Sequence, residues 1–212
     1  MESQNKPKPI IFNNLVSHPL DPLTFDEINK TSNIVKNNSN LGKELLFETI
    51  MLIEPSKKTV LSFTQGDEIK RDAFVVVLNF KEEKIYELDI NLNSEKITRC
   101  DFIPDVQPAF IFGDLEMDFN EWETKMKHDP MVLKALKERG IHNPDLLQID
   151  PWPIANFGNK DEKGKRLAIG RCWIRREPED NAYARPIEGL SIILDLNKNE
   201  VVEVQDFGAV PI

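Results

Sequence analysis

The chain has 212 residues, and its 27 basic and 36 acidic side chains give a formal net charge of −9. Hydrophobic residues make up 40% of it and charged residues 30%, which is the composition of a soluble globular protein. The acidic balance argues against a nucleic acid or an anionic membrane as partner, because either needs a basic surface. The length accommodates two domains of about 100 residues each.

The sequence shows no targeting or membrane-spanning segment. No apolar run approaches the roughly 20 residues that cross a bilayer, and the N-terminal stretch lacks the apolar part of a signal peptide. Two cysteines, Cys100 and Cys172, are too few for a disulfide framework, and we expect both to be reduced and buried in strands. These features favour a reducing compartment, and we expect the cytoplasm.

The first half is predicted to be a flexible tail, residues 1–17, and a domain over residues 18–104. In this domain Thr24 is the expected N-cap of a helix, and Glu27 three residues later completes a capping box. Apolar and polar residues alternate along the strand-like run at 84–92, which predicts an antiparallel sheet with one polar face. The four strands of the predicted sheet cover residues 45–54, 69–80, 84–92 and 96–103.

Residues 105–212 repeat this order of elements. Asp118 is the expected cap of a helix that carries Phe119 on its apolar face, and Asp129 followed by Pro130 predicts the start of another helix that ends at Gly140. Strands after helices favour an α+β fold over a parallel α/β fold. The second set of predicted strands covers residues 146–150, 166–176, 187–196 and 200–206.

The sequence contains none of the common motifs for a catalytic site or a metal-binding site. The three histidines, His18, His128 and His142, do not have the spacings that commonly build a metal site on one element. The chain contains no CxxC, GxSxG, P-loop or GxGxxG pattern. The sequence therefore predicts no catalytic residue and no metal ligand.

Two segments place an aromatic side chain in an unusual setting. Trp152 lies between two prolines in Gln148-Ile-Asp-Pro-Trp-Pro153, and Tyr183 lies between two alanines in a polar, proline-containing loop. The two rings either pack on their own sheet or belong to a surface that meets another domain or a ligand, where Trp and Tyr are enriched. The residues alone leave both readings open.

The same segments resemble the N-terminal part of copper-containing primary-amine oxidases. The similar motifs, in order, are His18-Pro-Leu-Asp-Pro-Leu-Thr24, Asp150-Pro-Trp152, Tyr183-Ala-Arg-Pro-Ile-Glu-Gly-Leu190 and Asp206-Phe-Gly-Ala-Val-Pro211. The resemblance covers about residues 18–212. It implies two cystatin-like domains, the N2 and N3 domains of that family, each with a helix packed on a four-stranded antiparallel sheet.

The resemblance implies a non-catalytic region. The family's copper and its tyrosine-derived quinone, topaquinone, belong to a catalytic domain that this sequence lacks. No HxH is present, and neither Tyr86 nor Tyr183 follows an asparagine, so we expect no cofactor in this chain and no oxidase activity from it alone. The implied partner is the catalytic domain, in cis or in trans.

In the family the second small domain supplies part of the wall of the amine entry channel. By this resemblance the wall residues are Phe119, Pro151, Trp152 and Tyr183, although Phe119 also suits a plain helix core. The alternative function is a free-standing interaction module that binds a protein partner, or a second copy as a homodimer, through an exposed aromatic surface. A third function, protease inhibition, would rest on analogy with cystatins alone. The chain does not contain the Gln-x-Val-x-Gly loop of those inhibitors.

Overall fold

The structure, a computed structural model, describes residues 16–106, 119–154, 160 and 162–209, except for the side chains of 119–122. It contains two four-stranded antiparallel sheets whose strands neighbour each other in chain order, which confirms the α+β prediction. The elements are α1 (Phe25–Lys36), β1 (Leu45–Leu52), α2 (Lys57–Ser62), β2 (Asp72–Asn79), β3 (Lys84–Asn91), β4 (Lys96–Ile103), α3 (Phe119–Lys127), α4 (Pro130–Glu138), β5 (Leu147–Pro153), β6 (Leu167–Ile174), β7 (Pro186–Asp195) and β8 (Glu200–Asp206).

Helix α1 begins at the predicted capping box. The Thr24 hydroxyl accepts the Glu27 N–H at 3.2 Å, and the Glu27 carboxylate accepts the Thr24 N–H at 2.8 Å. Two otherwise unpaired donors of the first turn are thereby satisfied. The helix ends near Asn37 and packs Val35 on the first sheet. The short helix α2, capped by Ser56, was not predicted.

The core of the first domain follows the alternation of its strands. One face of the sheet packs under α1, and its fully buried members include Val75, Val77, Leu88 and Ile90. The other face of β3 is polar, as predicted. In β2, however, this second face carries half-buried Phe74 and Val76, so the outer side of the sheet is polar only in part.

A buried arginine fastens the segment before α1 to the first sheet. Arg71 is 5% exposed, and it donates two hydrogen bonds to the Glu27 carboxylate, at 2.8 and 3.0 Å. It also donates to the carbonyl oxygens of Asp21 at 2.8 Å and Pro22 at 3.0 Å. Burial opposes ionisation of Glu27, but the bonds from Arg71 and Thr24 outweigh it and hold the pKa of Glu27 below its ordinary value.

In the second domain α4 has the predicted boundaries. The Asp129 carboxylate accepts the Met131 N–H at 2.8 Å, and Pro130 occupies the first turn, where its missing N–H costs nothing. The helix ends before Gly140, which adopts a positive φ of 73°. The core of this domain contains residues from α3, α4 and strands β5 to β7, including Leu136, Ile149 and Ile192. Val201 and Val204 of β8 are partly buried and pack against it.

Strand β5 is longer than predicted, because it continues through both prolines of Pro151-Trp-Pro153. Proline is compatible with this position because β5 is an edge strand that pairs only with β6. Helix α3 covers the free edge, where the Glu123 carboxylate accepts the Ile149 N–H at 2.9 Å. Lys127 lies 3.3 Å from the same carboxylate, so the buried charge is paired.

The predicted domain boundary between residues 104 and 105 falls after β4 and before α3. Residues 107–118 are outside the described part of the chain, as are most of the predicted tail and the expected cap Asp118. The boundary therefore stays a prediction. None of the helices that the structure describes is long and apolar enough to cross a membrane.

Candidate functional site

Trp152 lies on the outer face of the second sheet. Its side chain is 59% exposed, and its indole Nε1 donates to the Asp150 carboxylate at 3.2 Å. Pro151 alternates to the opposite face and is buried there with Ile149. In this chain Trp152 therefore presents its ring outward, whereas the ring of Pro151 constrains the backbone from the core side.

Tyr183 also presents its ring outward and is 56% exposed. Its ring packs edge-on against Trp173, with 5.2 Å between ring centroids and an interplanar angle of 72°. The loop is ordered locally, because the Asn181 carboxamide oxygen accepts the Tyr183 N–H at 3.0 Å and Asp180 pairs with Arg185.

Sequence reasoning did not single out Trp173. The sequence feature that could have identified Trp173 is its position in β6. There it shares the outer face with Arg171, whereas Cys172 between them is buried. Alternation therefore could have placed it beside the exposed loop.

Trp152 and Tyr183 lie on the same outer face of the second sheet, but they do not contact each other. Trp152 is opposite Ile169 on β6, and Tyr183 contacts Trp173, four residues further along that strand. At roughly 3.3 Å per residue, the two aromatic positions are about 13 Å apart along the strand. Phe119 begins α3, but its side chain lies outside the described part of the structure.

The C-terminal motif is held by a cluster that we name the C-terminal clamp: Arg139, Gly189, Asp206 and Gly208. The Arg139 guanidinium donates to both Asp206 oxygens, at 2.6 and 2.8 Å, and to the carbonyls of Gly189 and Gly208 at 3.3 and 3.0 Å. Asp206 also accepts the Gly208 N–H at 2.9 Å. The bonds from Arg139 and then Gly208 lower the pKa of Asp206 to about 2.

The residues do not fit the copper site that the resemblance attributes to the family. The His18 ring accepts the Leu20 N–H at 3.1 Å and packs on Phe63, while His128 bonds the Thr124 carbonyl at 2.8 Å. Over the described ranges, no group of three His, Cys, Asp or Glu side chains could hold a metal ion.

The two cysteines differ in burial. Cys172 is buried as predicted, and burial raises the pKa of its thiol to about 12. Cys100 is exposed, so the prediction that it is buried is wrong; its edge strand β4 leaves the thiol uncovered. Partial desolvation and then Asp101 raise the pKa of Cys100. Both thiols are therefore protonated near neutral pH and are poor nucleophiles.

The comparisons with known proteins agree with this arrangement. The family profile described as "Copper amine oxidase, N2 domain" matches residues 18–103, and "Copper amine oxidase, N3 domain" matches residues 117–211. The chain belongs to the copper amine oxidase family. The family matches lend no support to the alternative of a free-standing interaction module.

Two relatives illustrate how much of the family this chain represents. It is 32% identical to "Primary amine oxidase" of Arthrobacter sp. (strain P1), over 93% of this chain and 29% of the relative. It is 28% identical to "Diamine oxidase [copper-containing] 1, peroxisomal" of Nicotiana tabacum, over 92% of this chain and 29% of the relative. The chain thus spans less than a third of the length of these relatives.

A solved structure supports the fold. The crystal structure of a copper-containing benzylamine oxidase from Hansenula polymorpha superposes with a TM-score of 0.68 at 20% identity. The match covers 90% of this chain and 30% of that chain. The match shows that this chain shares the fold of a part of that protein.

Proposed function

We propose that this chain is the non-catalytic N-terminal region of a copper- and quinone-dependent primary-amine oxidase. It packs on the catalytic domain, in cis or in trans, and forms part of the wall of the amine entry channel. The observation that carries the proposal is the pair of aromatic rings, Trp152 and Tyr183, that a domain of this family exposes on one face.

The chemistry of this face suits an amine on its way to a catalytic centre. The rings of Trp152 and Tyr183 offer apolar area for an alkyl or aryl group, and their π-faces attract a cation. The ring of Pro151 fixes its own backbone φ directly before Trp152. Phe119 completes the proposed wall by family resemblance alone.

The purified chain is expected to bind no copper tightly and to oxidise no amine, because no group of three possible metal ligands converges among its described residues and neither tyrosine follows an asparagine. Copper content by mass spectrometry and amine-dependent peroxide release measure this directly. Stoichiometric copper together with peroxide formation would contradict the proposal.

A chimera tests the channel wall. Residues 18–212 replace the matching segment of the Arthrobacter sp. (strain P1) primary amine oxidase. We expect an active enzyme in which Trp152→Ala or Tyr183→Ala raises KM for an aryl amine about two- to fivefold and leaves kcat within about twofold, because each removes a ring that attracts the ammonium group.

The control variant of this chimera is Phe25→Ala, which removes an even more exposed ring (71%) from the first domain. It is expected to leave KM unchanged. A folded but inactive parent chimera counts against packing on the catalytic domain. An active one whose KM responds equally to all three substitutions counts against a channel wall.

The proposed compartment is the cytoplasm, as the sequence favours. Fractionation of cells carrying the native gene tests this, and recovery in peroxisomes, which the name of the tobacco relative mentions for that protein, would contradict it.

A further inference from the structure

Strand β4 forms a free edge of the first sheet. The strand order is β1-β2-β3-β4, and no strand of the described residues pairs with the far side of β4. Cys100, Asp101 and Phe102 are exposed there, and the Phe102 side chain is 51% exposed. The unpaired N–H and C=O groups of such an edge are a template for another strand.

A hydrogen bond at the end of β2 and β3 identifies the bonding pattern of the sheet. The Leu92 N–H, directly after β3, donates to the carbonyl of Arg71, directly before β2, at 2.9 Å. Hydrogen-bonded pairs alternate with non-hydrogen-bonded pairs along an antiparallel ladder. The backbone groups of the even-numbered residues of β3 therefore point to β2, and those of the odd-numbered residues point to β4.

The same alternation identifies the free backbone groups of β4. Arg99 and Asp101 are opposite odd-numbered residues of β3, so their N–H and C=O groups point to β3. The backbone groups of Cys100 and Phe102 therefore point away from the sheet. A strand that adds to this edge must bond through these two residues.

The charges on β4 favour one antiparallel register with a second copy of the strand. A pair centred on Arg99 or on Asp101 places that residue opposite its own copy, so like charges meet. A pair centred on Cys100 places Arg99 of each copy opposite Asp101 of the other. Opposite charges directly across a ladder stabilise it, whereas like charges destabilise it. A pair centred on Phe102 places Cys100 opposite Pro104, which lacks the N–H that this position requires.

The α1 side of β4 is complementary in the same register. The Phe102 ring lies on this side, 5.9 Å from the Tyr86 ring between centroids. In a pair centred on residue 100, Phe102 of one copy lies opposite Thr98 of the other, next to Ile97. Ile97 and Ile34 line a shallow groove of about 470 Å³. An exposed ring of one copy therefore meets an apolar groove of the other.

We propose that β4 pairs with β4 of a second copy of this chain, antiparallel and centred on Cys100. The two four-stranded sheets then form one eight-stranded sheet across a twofold axis. This surface belongs to the first domain and includes none of the proposed wall residues. The proposal therefore does not depend on the proposed function.

The register provides a chemical test, because it places the two Cys100 residues directly opposite each other. Such a hydrogen-bonded pair has Cα atoms about 5.5 Å apart, within the range of a disulfide. The oxidant is diamide at slightly alkaline pH, which takes two electrons and two protons from the two thiols as the S–S bond forms. We expect a covalent dimer of twice 24.4 kDa on non-reducing electrophoresis. Cys100→Ser is expected to give none, because Cys172 is buried.

The variant Thr98→Cys/Cys100→Ser controls for random collision. It carries a thiol at another exposed position of the same strand. In the proposed register the two thiols at position 98 are four residues apart along the ladder, roughly 13 Å. We expect its covalent dimer to form at least about tenfold more slowly than that of the parent chain. Equal rates overturn the proposal.

Sedimentation equilibrium in the presence of a reductant measures the pairing without a cross-link. We expect a reversible dimer, which Asp101→Lys weakens about tenfold or more because both cross-strand pairs become repulsive. Glu203→Lys is the matched control, since it makes the same charge change on β8, an edge strand of the second sheet, and it is expected to leave the dimer unchanged. A monomer at every concentration, or equal effects of the two substitutions, overturns the proposal.

Cross-linking of Asp101→Lys separates lost pairing from altered thiol chemistry. Asp101 contributes to the raised pKa of Cys100, so a lysine there favours the reactive thiolate. A change in reactivity alone therefore makes the cross-link faster. We expect it to form more slowly than in the parent chain, and faster formation contradicts the proposed register.

Discussion

Replacing Arg71 with methionine is expected to lower the free energy of unfolding of the first domain by about 3–5 kcal/mol. The substitution leaves the largely buried Glu27 carboxylate without its cation and removes the donors from the Asp21 and Pro22 carbonyls. All three tryptophans lie in the second half, so their fluorescence does not report this transition. Hydrogen exchange of the amides in β2 and β3 measures it.

Two further variants isolate the cause. The double variant Arg71→Met/Glu27→Gln is expected to recover about 1–2 kcal/mol of the lost free energy of unfolding. Glutamine at position 27 keeps the capping box and removes the unpaired negative charge. Arg99→Met is the matched control. Arg99 contacts three carboxylates but its side chain is 34% exposed, so its loss is expected to cost less than about 1 kcal/mol. Equal costs for Arg71 and Arg99 would contradict this account.

The parts of the fold that the sequence predicted are those with short-range causes. The box of Thr24 and Glu27, the start of α4 at Asp129 and the alternation of β3 each depend on residues within a few positions of one another. The contact of Arg71 with Glu27 joins residues 44 positions apart, and nothing in the local pattern indicates it. Such contacts depend on how the sheet packs against the helix.

Pro151 and Pro153 show how tertiary context changes a local signal. Proline normally ends a strand, and the sequence predicted an end at residue 150. The strand continues because it has a partner on one side only, and the other side is occupied by the Glu123 carboxylate from α3. Whether a strand lies at an edge is a property of the whole sheet, which one segment does not reveal.

The sequence likewise predicted only part of the candidate functional site. Trp152 and Tyr183 stand out in the sequence because of their proline and alanine neighbours, and both are exposed in the structure. Trp173 has no unusual neighbours in the sequence, and only the alternation of β6 indicates that it lies on the outer face. The close approach of Gly189 to Gly208 joins two different motifs, and neither motif indicates it by itself.

The C-terminal clamp connects these features. Arg139 is the C-cap of α4, and its guanidinium donates to the carbonyl oxygens of Gly189 in β7 and of Gly208 in the C-terminal turn. Its side chain is 3% exposed, so these bonds are shielded from water. The clamp therefore holds the turn that carries Phe207.

Asp206→Asn is expected to destabilise the second domain by about 1–2 kcal/mol at pH 7. A pKa lowered from 3.8 to about 2 corresponds to at most about 2.4 kcal/mol, and the 28% exposure of the side chain reduces it. Because the folded pKa is the lower one, this stabilisation is complete above the unfolded pKa and is lost as pH falls towards 2. The difference between parent and variant should therefore be constant from pH 7 to about 5 and shrink between pH 4 and pH 2.

Urea unfolding followed by tryptophan fluorescence measures this difference, since Trp152 and Trp173 both lie in the second domain. Glu203→Gln is the control, because it removes an exposed carboxylate from the same strand as Asp206. It is expected to change stability by less than about 0.5 kcal/mol at every pH. A constant cost of Asp206→Asn down to pH 2, or an equal cost of Glu203→Gln, would show that the ion pair with Arg139 does not hold the turn that carries Phe207.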